Sequence, residues 1–179
     1  MKSKIFTTKA VLVIGFLALL FVQTAFLSDQ AMAGMFGFFK RYDVHLSPAV
    51  HGQVKLDGEP MANLEVYREL FYEKKYMDKT TTDAEGRFHF PEKNIKSRNP
   101  GKLFGETHVT QVLTVDHGQD THLLWRTSTT RIEPSKVITD KLASLNCDLE
   151  NSEELHHFQM HENPDFTHDV SSICRWDNL

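Results

Sequence analysis

Thr80-Thr81-Thr82-Asp83-Ala84-Glu85-Gly86-Arg87-Phe88-His89-Phe90 is the stretch that decides how this chain folds. It reads as two strands separated by Asp-x-x-Gly. In such a turn an Asp carboxylate accepts from backbone amides and a Gly takes a positive φ. Phe88 and Phe90 then share one face, toward a core, and Pro91 ends the strand by removing a ladder donor.

Upstream, Val50, Gly52, Val54 and Leu56 alternate with His51, Gln53 and Lys55, the period-two pattern of a half-buried strand. Asp57-Gly58 marks a turn, reinforced by Pro60. Leu64, Val66 and Arg68 share a face of the next strand, with Glu65 and Tyr67 on the other. Phe71 to Met77 suits a continuing strand or an exposed hairpin.

Downstream, Glu92 to Gly105 reads as the longest irregular stretch, centred on Pro100-Gly101. Val109 to Val115 and Thr121 to Ser128 outline a hairpin. In its second strand Leu123, Leu124 and Trp125 are consecutive, as where both faces are covered. Glu133-Pro134-Ser135 opens a short helix through Leu142, with Pro134 near its first turn. Leu145, Cys147 and Leu149 alternate again. Glu153 to His161 fits helix or strand, and Asn163-Pro164 breaks it.

The chain begins with Lys2, Lys4 and Lys9, an apolar run from Ala10 to Val22, and Ala31-Met32-Ala33. This is the order of a signal peptide, residues 1–33, cleaved before Gly34. The exported product, 34–179, would then be periplasmic or secreted, with no membrane insertion. An uncleaved inner-membrane anchor is the alternative, although the apolar run is shorter than the roughly 20 residues that span a bilayer. A start at Met35 would instead give a cytoplasmic protein.

The formal net charge is −4, and losing the basic leader leaves the remainder more acidic. Such a balance offers nucleic acid no broad electrostatic attraction. Cys147 and Cys174 are the only cysteines. In an exported protein an even count reads as one disulfide, worth roughly 3 kcal/mol by loop closure. Two buried free thiols are the alternative.

The span from Val50 to Phe90 resembles the carboxypeptidase regulatory-like domains, transthyretin-like or prealbumin-type sandwiches. The resemblance is carried by Gly52, Val54, Gly58, Pro60, Ala62 and Val66, then Thr82, Asp83, Gly86, Phe88 and Phe90. It implies a fold and says nothing of chemistry. Most of the chain from Gly34 onward is also similar to a family of uncharacterised bacterial proteins known as a domain of unknown function. That likeness rests on Tyr42-Asp43-Val44-His45-Leu46-Ser47-Pro48, Phe88-His89-Phe90-Pro91, Leu145-Asn146-Cys147 and Ser172-Ile173-Cys174-Arg175-Trp176. It implies no activity.

Among ten histidines, His157 and His161 stand four apart, with His156 adjacent and His168 downstream. Two imidazoles on one face are candidate metal ligands. Phe158 follows His157 where a metalloprotease helix carries Glu. His51 and His89 fall opposite their apolar neighbours, on an outer face. There is no Gly-x-Ser-x-Gly elbow, no phosphate-cradling glycine loop, and no cofactor is expected. Lys93, Lys96, Arg98 and Lys102 reverse the charge locally and are candidates for docking an acidic partner.

The expectation is a mainly β protein: one prealbumin-like or Ig-like β-sandwich of about seven strands with a short C-terminal extension. Its regulatory-like core covers about 44–128 and its disulfide-tied tail about 129–179. The expected function is non-enzymatic binding of an unidentified protein partner outside the cytoplasm. An inhibitor or immunity-type protein and a metal-binding protein using His157 and His161 are the alternatives.

Overall fold

A computed structural model of the protein describes residues 40–101 and 108–176. The expected leader, and Lys102, lie outside the described residues. Within them the chain is mainly β, as expected, with thirteen strands where about seven were anticipated. In order these are β1 (Tyr42–Ser47), β2 (Val50–Leu56), β3 (Glu59–Pro60), β4 (Glu65–Tyr72), β5 (Lys74–Thr81), β6 (Arg87–Phe90) and β7 (Lys93–Ser97). After a short 3-10 turn at Asn99–Gly101 come β8 (Val109–His117) and β9 (Asp120–Thr129). Helix α1 (Lys136–Leu142) precedes β10 (Leu145–Asp148), β11 (Glu154–Gln159), β12 (Thr167–Ser172) and β13 (Cys174–Arg175).

A six-stranded antiparallel sheet runs β11-β12-β9-β8-β4-β5, and a five-stranded sheet runs β13-β10-β2-β3 with β6 also paired to β2. Among the described residues only β10 with β2 is parallel. The short pair β1–β7 forms a third sheet. The arrangement is that of a β-sandwich, with apolar faces of the two large sheets turned toward each other. Val50, Val54, Phe88, Phe90, Leu145 and Cys147 share the core with Val66, Leu113, Val115, Leu124, Trp125 and Val170. Helix α1 adds Val137, Ile138 and Leu142. Each such side chain, fully buried, contributes about 1.5–3 kcal/mol. Val44, Leu46, Leu70, Tyr72 and Val109 form a smaller core beneath β1–β7.

The Asp83 turn forms as expected. Asp83 Oδ1 accepts from the amides of Glu85 (3.0 Å) and Arg87 (2.7 Å), and Gly86 has φ 71°. The strands on either side of it do not form a hairpin. β5 pairs with β4 in one sheet and β6 with β2 in the other, so the turn carries the chain across the sandwich. Local turn chemistry reverses the backbone, but the partners of each strand are set by packing.

Consecutive Leu124 and Trp125 are both buried because of a bulge. Leu113 pairs with Trp125 and Thr114 with Leu123, leaving Leu124 unopposed, so two adjacent side chains face inward. A second correction concerns Glu92 to Gly105. Its first part is strand β7, antiparallel to β1, with Ile95 packed on the smaller core. The Glu153–His161 ambiguity resolves as strand β11. Residues after 144 thus supply strands to both large sheets.

Candidate functional site

The outer face of the six-stranded sheet is polar. On β4 and β5 its charges are neutralised in pairs, Glu69 with Lys75 at 2.7 Å and Glu65 with Lys79 at 2.5 Å. Toward the other edge the sheet opens. β12 and β9 share one register pair, Ser171 with Arg126. Side chains bridge the two strands on either side of it, Thr127 Oγ1 donating to the Asp169 carbonyl (2.8 Å) and Ser172 Oγ to the Leu124 carbonyl (2.5 Å), and the Ile173 amide donates to the Leu123 carbonyl at 3.0 Å. Over this part of the sheet lies a groove of about 600 Å³.

Thr110, Arg126, Ser128, Leu155, Thr167, Asp169 and Ser171 line this groove. The Arg126 side chain is exposed and has no hydrogen bond or ion pair among the described residues. Asp169 is committed elsewhere: His157 Nδ1 lies 2.7 Å from its Oδ1, and that bond is the first cause holding its carboxyl below the ordinary range. An adjoining hollow of about 420 Å³ shares Ser128, Thr167 and His168 and adds Arg131, Met160 and Phe166. Leu155 and Phe166, 57% and 61% exposed, give the surface apolar points at two places. Thr110 and Ser128 share a hydroxyl–hydroxyl bond (3.1 Å) and Thr167 donates to Asp169 (3.2 Å), so the groove offers the Ser171 hydroxyl, the Arg126 guanidinium and apolar contact beside the Asp169 carboxylate, and Arg126 is the group able to meet an anion.

Ser135 and His168 form the nearest approach to a nucleophile–base pair, with Ser135 Oγ 3.2 Å from His168 Nε2. Both are buried, and no carboxylate bonds the His168 ring among the described residues. The first helical amide, that of Lys136, is taken by Glu162 Oε1 at 2.9 Å. The pair therefore lacks both an orienting acid and a free oxyanion donor at that amide.

The residues singled out in the sequence fall at separate places on the molecule. Cys147 and Cys174 are bonded to each other, as register partners on β10 and β13. His157 and His161 are not brought together. Four residues of extended chain span roughly 13 Å. His157 sits on Asp169, whereas His161 lies near enough to α1 for its charge to help lower the Asp140 carboxyl, whose main cause is the bond from Lys136. No group of three metal-ligating side chains occurs among the described residues. Lys93 and Lys96 project from a strand and have counter-charges, Asp78 at 3.3 Å and Asp43 at 2.5 Å. Arg98 also has a partner.

Arg126 and the Ser135–His168 bond were not legible in sequence. Arg126 sits in an ordinary strand pattern, and only the placement of β12 beside it makes it part of a groove. The bond joins residues 33 apart.

The family described as Domain of unknown function (DUF6795) has a model that matches residues 50–152, more than half of the chain. No curated protein and no solved structure matches the chain. The matched span includes Arg126 but ends before β11 and β12, which close the groove.

Proposed function

We propose that this chain, which belongs to the DUF6795 family of domains of unknown function, is a non-enzymatic binding module that acts outside the cytoplasm. Its partner is a protein that places a carboxylate in the groove between β9 and β12. The observation that carries this reading is the exposed, unpaired Arg126 among the hydroxyls of Thr110, Ser128, Thr167 and Ser171. An uncompensated guanidinium favours an anion most when the anion can be met by two parallel donors. The buried Cys147–Cys174 bond supports an oxidising compartment. A prealbumin-type ancestry, suggested by the Asp83 turn and its flanking strands, is part of the same proposal.

Amide shifts of the labelled protein during titration with a short Asp- and Glu-containing peptide test the reading. Perturbations should concentrate at Thr110, Arg126, Ser128 and Ser171 and vanish in Arg126→Ala. Shifts that survive that substitution, or fall on β4 and β5 instead, would reject it. Export is tested separately, by an intact mass that begins at Gly34 in the extracytoplasmic fraction.

An inhibitor or immunity-type role is the second reading. It is favoured by Phe71 and Met77, 39% and 57% exposed on the β4–β5 hairpin. A stable one-to-one complex with hydrogen-exchange protection on that hairpin would select it.

A further inference from the structure

His51 and His89 face each other across the five-stranded sheet. In the antiparallel pairing of β2 with β6, Val50 opposes Phe90, His51 opposes His89, and Gly52 opposes Phe88. Alternation sends Val50, Val54, Phe88 and Phe90 into the core and leaves both imidazoles exposed on the other face. Their ring centres are 4.5 Å apart and their planes 37° apart. Neither ring has a hydrogen bond or an ion pair among the described residues, so their lone pairs are uncommitted.

We propose that His51 and His89 form a two-imidazole site for a divalent copper ion. A metal–nitrogen bond of about 2.0–2.1 Å puts each ring centre about 3.2 Å from a shared ion, and centres 4.5 Å apart then subtend about 90°. That angle belongs to the tetragonal nitrogen and oxygen sites of copper(II), whereas zinc takes a wider tetrahedral one. Copper also heads the affinity order of divalent first-row metals for imidazole. Water completes the coordination, since no group of three protein ligands occurs among the described residues.

The site is held by its backbone. A Cβ at Gly52 would lie 2.5 Å from the Phe88 ring, so the strands beneath the histidines are packed ring against backbone. Pairing fixes the two Cα positions. The charged groups on this face are Arg87 and Lys55 on the same strands and, from β10 beside β2, Asp148, whose carboxylate is taken by the amides of Asp57, Gly58 and Glu150. The chelate itself is the source of affinity.

Copper(II) titration of the tag-free protein near neutral pH, followed by electron paramagnetic resonance and calorimetry, tests the assignment. One ion per chain should bind with a tetragonal spectrum showing coupling to two imidazole nitrogens. His51→Ala and His89→Ala should each weaken binding by on the order of tenfold or more, and zinc should bind more weakly than copper. His157→Ala should leave binding unchanged. The paired histidines lie on an exposed face, and circular dichroism of each variant checks that the fold is kept. Equal copper affinity in His51→Ala, His89→Ala and the parent, or a spectrum without imidazole coupling, would overturn the site. Loss of binding in His157→Ala alone would overturn it as well.

Discussion

The hydroxyl of Ser135, the residue immediately before α1, lies 3.2 Å from Nε2 of His168, and both side chains are buried. A serine at this position ordinarily caps its own helix. Here Ser135 makes no capping bond, and Glu162 from the β11–β12 connection takes the first helical amide. The helix is thus tied to the six-stranded sheet from two sides.

Burial is the main cause that lowers the His168 pKa, against a smaller opposing pull from Glu162. The unfolded chain then binds more protons than the folded one over the interval between the two values. Stability is complete above the unfolded value of about 6.5 and is lost as pH falls through it toward the folded value. His156, also lowered chiefly by burial, adds in the same direction. Urea midpoints should therefore drop between about pH 7 and pH 5. His168→Gln should flatten part of that drop; an unchanged pH profile in the variant would show that His168 is not its source.

Cys147 and Cys174 are fully buried and bonded, with a sequence separation of 27. Replacing both by alanine should cost roughly 3–4 kcal/mol, read as a lower denaturant midpoint. The native protein should take up no thiol reagent until it is both unfolded and reduced. Two titratable thiols in unreduced protein would contradict the bond.

Arg68 is 2% exposed, donating to the Pro91 carbonyl at 2.7 Å and to Asp78 at 2.6 Å, with its guanidinium 4.8 Å from the Phe90 ring centre. Burial alone would raise the Asp78 pKa, but the Arg68 bond and charge, with Lys93, outweigh it and hold the carboxyl low. That contribution is present above about pH 4 and is lost as pH falls through the folded value. Arg68→Ala should cost about 3 kcal/mol, because it leaves both a void and a stranded partner. Arg68→Met, which refills the space, should cost less. Equal costs for the two would mean that packing contributes nothing at this position.

The turn at Asp83 was readable because all of its parts are local. Its acceptor, its two amides and the positive φ of Gly86 lie within five consecutive residues. Faces were readable too: Val66, Arg68, Leu70 and Tyr72 are buried in the alternation that β4 displays. Strand β7 was hidden because Lys-Asn-Ile-Lys-Ser carries only one apolar residue, and it is recognisable only by its pairing with β1. Its lysines looked like a free basic cluster. Their counter-charges come from Asp78 on β5 and Asp43 on β1, which no local pattern brings near.

By itself the sequence determined where the chain turns, which side chains face inward, and that two cysteines were available to bond. These depend on the conformational preferences of a few adjacent residues and on a period of two. The tertiary structure alone decided that the Asp83 turn crosses between sheets, that β10 enters beside β2, and that β12 pairs beside Arg126 to complete the groove. Alternation specifies a face and not a neighbour. Neighbours are chosen by the mutual packing of both sheets around Trp125 and Phe90, an interaction spread over the whole chain.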